Sequence, residues 1–325
     1  MNKVKLISIS IVSIICATIL TFGLIFGISF SNKGGYTSCL TVNKETNTLS
    51  TTSNSVKILQ LTDIQLFNCF NSISALNAIK KTVAKTKPDL IVFTGDNVSD
   101  PCTKTSFNRL VKFVDAFGLP WAVVLGNHDH GVFNFTLDYM SETYQNSKNC
   151  IYKQGTILQS YGNYYYNINI NGSDILSLIF LDSQQLGFTN EHTNWYEQTI
   201  NTIKSNNDGN ILPSLAFFHI PTIETQIAYD LYSKGLIDGD GTLREVICHQ
   251  ETNSNFFDKV LELQSTKALF YGHDHINNLI LNYKDIKLVY GLKTGRSSYY
   301  NPHIQGGNLI TINANSSFDV QRIYI

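Results

Sequence analysis

Three stretches share one arrangement of apolar and polar positions: "VKILQLTD" (56–63), "DLIVFTGD" (89–96) and "PWAVVLGNHD" (120–129). Each is a short, β-rich apolar run that closes on Gly, Asp or Asn, the pattern of a buried strand meeting a turn. Between the first two, Ile73, Leu76, Ile79 and Val83 recur at helical spacing, and Pro88 follows where a helix cannot continue. Between the second and third, Phe107, Leu110, Val111, Val114 and Phe117 repeat the pattern. Strand, helix, strand, helix, strand predicts parallel strands joined by crossover helices. Such sheets bind ligands outside the carboxyl ends of their strands, where these polar residues fall.

The second half adds strands. "YYYNINI" (164–170) and "ILSLIFLD" (175–182) read as a pair turning at Asn171-Gly172. A helix around Trp195–Ile203 leads to "SLAFFHI" (214–220), and another near Phe256–Leu263 leads to "KALFYGHDH" (267–275). Short strands run on to the C-terminus. The pattern predicts an α/β fold of two sheets packed face to face with helices outside. The long connection from Pro221 to Asn255 carries Arg244 and Cys248. It reads either as a loop framing a site or as a surface excursion tied down by Cys248.

The N-terminus follows a different pattern. After a short lysine-bearing start (residues 1–5), Leu6 to Phe30 is a 25-residue stretch without a charge. As a helix it would span about 37 Å, against a hydrocarbon core of about 30 Å. No small-residue cleavage site follows Phe30, so the expectation is a transmembrane signal-anchor over 6–30, with a signal peptide as the alternative. Lys3 and Lys5 keep residues 1–5 cytosolic in that reading and place the remainder in the lumen or outside; a cleaved signal would make the chain secreted. Residues 31–55 contain 15 Ser, Thr or Asn and almost nothing apolar, which reads as a flexible linker. The folded domain is then expected over 56–325.

Composition adds exclusions. A net charge of −1 leaves no basic excess to displace counterions, which argues against a nucleic-acid backbone binder. Five cysteines lie beyond the apolar segment, none at CxxC spacing, so a zinc ribbon is not expected and disulfide connectivity stays open. Sequons begin at Asn97, Asn134, Asn171 and Asn315, a glycoprotein signal that is weak in an Asn-rich chain.

The candidate chemistry lies at the strand ends. In chain order these hold Asp63, Asp96, Asn127-His128-Asp129, His219 and His273-Asp274-His275. Carboxylates and imidazoles, with one carboxylate able to bridge, are what two divalent ions require. The blocks Asp63-Ile64-Gln65, Gly95-Asp96, Gly126-Asn127-His128-Asp129, His219 and Gly272-His273-Asp274-His275 resemble, in order, the pattern of the calcineurin-like metallophosphoesterases. "AFFHIP", "GHDHINN" and "LKTGRSSYY" are similar to a plant and fungal subgroup described as purple-acid-phosphatase-like. The resemblance implies a four-layer αββα metallophosphoesterase sandwich and a dinuclear centre that hydrolyses phosphate esters. It implies Asp63, Asp96 and His275 on the first metal, with Gln65 beside them, and Asn127, His219 and His273 on the second, Asp96 bridging. It further implies His128 as general acid with Asp129 orienting its ring, and a small phosphoester or phosphoprotein as substrate.

Two positions depart from that pattern. Gln65 stands where the family places histidine; as an oxygen ligand it would favour Mn²⁺ or Mg²⁺ over Zn²⁺ or Fe. The same D-x-Q occurs in Mn²⁺-dependent ADP-ribose phosphatases, which makes a nucleotide pyrophosphatase or phosphodiesterase the second reading. Alternatively Gln65 is not a ligand, and an inactive metal-binding homologue is a third reading. Ser99 stands where purple acid phosphatases carry their iron-binding tyrosine, so a colourless protein is expected. Lys293 and Arg296 are weak candidates for substrate phosphate contacts.

Overall fold

In the computed structural model the described residues are 35–67, 69–99, 103–129, 135–252 and 254–325. In chain order they run β1 (Thr41–Asn43), β2 (Thr48–Thr51), β3 (Ser55–Leu61), α1 (Cys69–Thr86), β4 (Leu90–Thr94), α2 (Lys104–Asp115) and β5 (Trp121–Val124). Next come α3 (Leu137–Asn146), β6 (Tyr164–Ile170), β7 (Ser173–Phe180), α4 (Asn190–Asn206), β8 (Ser214–Phe217), α5 (Glu224–Tyr232) and β9 (Gly239–Asp240). The chain closes with α6 (Phe256–Leu263), β10 (Thr266–Tyr271), β11 (Ile280–Tyr283), β12 (Ile286–Tyr290), β13 (Gly306–Asn313) and β14 (Phe318–Tyr324).

The apolar runs at 56–63, 89–96 and 120–129 become β3, β4 and β5, hydrogen-bonded in parallel within a five-stranded sheet ordered β14-β13-β3-β4-β5. Nine strands, ordered β1-β2-β6-β7-β8-β10-β12-β11-β9, make the second sheet. Its centre, β7-β8-β10-β12, is parallel, as continuous apolar runs buried on both faces predict. Leu59, Ile91 and Phe93 of the small sheet share one buried cluster with Phe180, Phe217 and Phe270 of the large one. A second cluster on the far side of the large sheet joins Phe218 and Leu269 to Tyr196 and Ile200 of α4 and Phe256 and Val260 of α6. The two sheets therefore face each other, with helices covering the outer faces. Helix α2 shows why its residues are helical: Thr103 caps it by accepting from the Ser106 N–H, and the recurring Phe107, Leu110, Val111 and Val114 are buried.

Three expectations change. The supposed linker at 31–55 contains β1 and β2, and β2 pairs in parallel with β6 through Leu49, which is fully buried. Tyr36 packs edge-on against Phe117, so the folded unit begins at Tyr36. Backbone pairing can recruit Ser, Thr and Asn into an edge strand without an apolar run, so composition concealed it. Helix α5 lies inside the Pro221–Asn255 connection, where loop had been expected. Among the described residues Cys39, Cys150 and Cys248 are free thiols, so Cys248 ties nothing down. The transmembrane expectation for 6–30 lies outside the described residues; among these, no helix is long and apolar enough to cross a membrane.

Candidate metal centre

The strand-end residues converge because the strands stop short and the backbone turns where the ligands begin. Asp63, Gln65, Asp96 and His273 all have positive φ, at 53°, 46°, 51° and 77°. Non-glycine residues hold this region only when their surroundings fix them. Here the fixing comes from bonds between adjacent loops: Asp63 N–H to the Gly95 carbonyl, Gln65 N–H to the Asp96 carbonyl and Leu66 N–H to the Asn97 carbonyl. Glycine serves close approach as well as turning. A Cβ at Gly126 would lie 2.2 Å from Asp96 Oδ1, and one at Gly272 would lie 1.9 Å from Thr62 Oγ1.

One group of ligand atoms faces a common point. Asp96 Oδ1 is 3.3 Å from His219 Nε2 and accepts the His128 N–H at 2.9 Å. His219 donates from Nδ1 to the Thr94 carbonyl at 2.9 Å, which fixes its tautomer and leaves Nε2 inward, 3.3 Å from His273 Nδ1. Asn127 Oδ1 is buried without a hydrogen-bond partner. Asp63, Asp96 and His219 offer ligand atoms all within 4.8 Å of one another, and with His273 Nδ1 beside His219 and the orphaned Asn127 oxygen on the neighbouring turn these residues supply the donor types of a divalent-ion site.

The neighbouring position differs. Asp63 Oδ1 lies 3.4 Å from His275 Nε2 and has no hydrogen-bond partner. Gln65 directs its Nε2, not its oxygen, toward Asp96 Oδ2 (3.3 Å) and His275 Nε2 (3.2 Å). Its Oε1 accepts from Lys293 Nζ at 2.7 Å. Lys293 is only 2% exposed and also donates to the Asp63 carbonyl. The oxygen that would have favoured Mn²⁺ or Mg²⁺ is thus committed to an ammonium, and that metal preference loses its basis. Of the two readings of Gln65, this geometry supports the one in which its oxygen is not a ligand.

Charge follows the same lines. Burial pushes the Asp63 carboxyl up, but His275, 3.4 Å away, and the charges of His219 and Lys293 outweigh burial and hold it below the usual range. Asp96 is likewise lowered: burial opposes, and His219 prevails. His219 is raised to about 10, its burial outweighed by Asp96 and Asp63. His273 falls to about 4 through burial and the charge of His219, and burial lowers Lys293 to about 8.

Other expected roles shift. Asp129 accepts from the Gly126 and Val98 N–H groups and from the Asn97 amide, at 2.9–3.0 Å. It braces the turn carrying Asn127 and His128. Burial, and then Asp96, push its carboxyl up to about 7. Asn97 is itself buried, consistent with a structural rather than glycosylated residue. Arg296 is exposed and pairs with Gln305, outside the cavity, and Lys293 lies beneath the site rather than on its surface. Neither weak candidate for phosphate contact is brought to the cavity wall.

The cavity over these ligands is about 680 Å³, lined by Gln65, Asp96, His128, His273 and His275, with Phe67 and Tyr299 as aromatic walls. Ser99 and Cys248 also line it, so the 221–255 connection does frame the site. Sequence reasoning missed several supports. Glu245 accepts from the Tyr299 hydroxyl at 2.6 Å, and the Tyr290 hydroxyl donates to Asp274. Thr62 Oγ1 sits 2.8 Å from Asp63 Oδ2. Only Thr62 had a signal, its place directly before a ligand.

Comparison with known proteins agrees with this arrangement. A family model described as calcineurin-like phosphoesterase matches residues 56–277. "Probable inactive purple acid phosphatase 29" of Arabidopsis thaliana is 29% identical over 290 residues, 75% of this chain and 72% of the relative. "Probable inactive purple acid phosphatase 14" of the same plant is 28% identical over 264 residues, 70% of this chain and 64% of the relative's length. A dimetal phosphatase structure from Danio rerio has a TM-score of 0.55 at 12% identity, covering 83% of this chain and 97% of that one. The last likeness shows the fold alone, an α/β sandwich.

Proposed function

We propose that this chain, which belongs to the calcineurin-like phosphoesterase family, is a metal-dependent hydrolase of small phosphate monoesters. The observation that carries the reading is that Asp63, Asp96 and His219 offer ligand atoms all within 4.8 Å of one another, with Asp96 and His273 lining an open cavity. An ion held by Asp63, Asp96 and His219, with Asn127 and His273 as further donors, would supply Lewis-acid polarisation of a phosphoryl oxygen and would acidify water. The chain's own residues do the rest. Asp96 binds the ion and, through the His128 N–H, holds the His128 backbone at the cavity wall. From there the His128 ring donates a proton to the departing oxygen as the P–O bond breaks, a role worth about 10²–10⁴-fold. Water supplies the oxygen that replaces it on phosphorus.

The cavity lining favours monoesters over nucleotide diphosphates. Among the described residues lining it there is no Lys or Arg to neutralise a second phosphate, while Phe67 and Tyr299 suit a flat or apolar alcohol. The extracytoplasmic placement and the membrane attachment rest on the apolar stretch 6–30.

The test uses full-length chain stripped of metal and re-supplied separately with Mn²⁺, Mg²⁺, Zn²⁺ or Fe²⁺. Hydrolysis of p-nitrophenyl phosphate should exceed that of its bis-ester and of ADP-ribose, and should be lost in Asn127→Ala and His128→Ala. A second reading, a metal-binding homologue without turnover, is favoured by the occupied Gln65 oxygen and by the names of the two plant relatives. Tight metal binding with no turnover on any of the three substrates would decide for it.

A further inference from the structure

We propose that this chain binds a single divalent ion, on the His219 side of the centre, and that the Gln65 amide and the Lys293 ammonium together take the place of the other ion. The inference rests on the metal-centre reading above and departs from the dinuclear arrangement that the fold implies.

The argument is one of donors and acceptors. An amide has one accepting end and one donating end, whereas an ammonium only donates. Lys293 Nζ lies 2.7 Å from Gln65 Oε1 and 3.2 Å from the Asp63 carbonyl. Turning the amide over would set NH₂ against NH₃⁺ in a buried space, so the lysine holds the amide with its nitrogen inward. That nitrogen has no lone pair to offer a metal. Its hydrogens instead address Asp96 Oδ2 at 3.3 Å and His275 Nε2 at 3.2 Å, two of the atoms an ion there would need. The His275 tautomer agrees: its Nδ1 lies 3.1 Å from the Tyr299 carbonyl and donates to it, which leaves Nε2 to accept.

The lysine is built in rather than swung in. Thr62 and Lys293 form a parallel bridge, and the next two N–H groups, of Thr294 and Gly295, donate to the carbonyls of Thr62 and Asp63. Lys293 therefore supplies fixed positive charge beside Asp63 and Asp96, which a first ion would otherwise bring. The remaining Asp63 oxygen is not stranded. Asp63, Asp96 and His219 offer ligand atoms all within 4.8 Å of one another, so Asp63 can serve the ion on the His219 side.

The experiment counts ions and does not depend on turnover. Full-length chain is saturated with Mn²⁺, freed of excess and examined by elemental analysis and by electron paramagnetic resonance. One Mn²⁺ per chain with the spectrum of an isolated ion is expected. Lys293→Met, which frees the amide to turn its oxygen inward, and Gln65→His/Lys293→Met, which presents an imidazole, should each raise the count to two and give an exchange-coupled spectrum. Two coupled ions in the unaltered chain would overturn the inference while leaving the hydrolase reading intact. A count that stays at one in both folded variants would also overturn it, because the pair would not then be what excludes the second ion. No retained ion at all would sink the metal centre itself. The unaltered chain alone decides the first and last outcomes should either variant fail to fold.

Discussion

Adding one methyl group at Gly126 tests whether the metal centre is packed as described. Gly126 does not need glycine for its φ, which is not positive, so an alanine there brings no backbone strain. Its Cβ would instead stand 2.2 Å from Asp96 Oδ1, 2.3 Å from the Asp96 nitrogen and 2.9 Å from His219 Cδ2. Carbon contacts settle near 3.5–4.0 Å, so the Asp96 carboxylate must retreat by more than an ångström. Overpacking of this kind costs about 1–3 kcal/mol. The retreat also breaks the charge-assisted bond from the His128 N–H, a further loss of about 1.5–3 kcal/mol. Gly126→Ala should therefore lose about 2.5–6 kcal/mol, a large part of the roughly 5–15 kcal/mol typical of a folded chain. Gly118→Ala is the control. Its φ is +73° and nothing lies within 4 Å of its Cβ, so it reports strain alone, about 1–2 kcal/mol. Urea unfolding with and without Mn²⁺ separates the two. At 100 times its dissociation constant a bound ion adds about 2.7 kcal/mol, and a hundredfold loss of affinity cuts that gain to about 0.4. Gly118→Ala should keep the full gain and Gly126→Ala should lose it. A Gly126→Ala protein as stable as the parent, or one destabilised with an undiminished metal response, would refute the packing around Asp96.

His192 and Ser99 carry two further expected outcomes. His192 is buried, with Nδ1 accepting the Thr189 N–H and Nε2 against Ser160, and burial lowers its pKa to about 4. Because the folded value lies below the unfolded one, near 6.5, the unfolded chain binds the proton first, and stability falls as pH drops from about 6.5 toward 4, by about 3 kcal/mol. His192→Gln should flatten that part of the urea-midpoint profile; an unchanged slope would show that His192 is not what titrates. Ser99 lines the cavity in place of an iron-binding tyrosine, so iron-reconstituted protein should show no visible tyrosinate band, and a purple preparation would contradict the site.

That Asp63, Asp96 and His219 come together was legible in the sequence because ligand chemistry leaves few choices. Only Asp, Asn and His at strand ends could serve, and the apolar runs located those ends; "YYYNINI" and Phe256–Leu263 matched their elements to the residue. The supports were not legible, because they join segments far apart by backbone geometry. Asp129 shows this, because besides Gly126 its bonds reach Asn97 and Val98, about thirty residues earlier in the chain. The strands at 41–51 carry almost no apolar signal, because what holds them is backbone pairing, β1 to β2 and β2 to β6. Gln65 is the least legible position, because its meaning depends on a distant partner. Its oxygen meets a lysine 228 residues away, brought there by the Thr62–Lys293 bridge. A histidine ring at 65 could accept from Lys293 with only one nitrogen, and that nitrogen would then be lost to a metal. Glutamine can accept at one end and donate at the other, which suits a position between an ammonium and the Asp96–His275 pair. The departure at 65 is thus a statement about 293, and the two residues have to be read together.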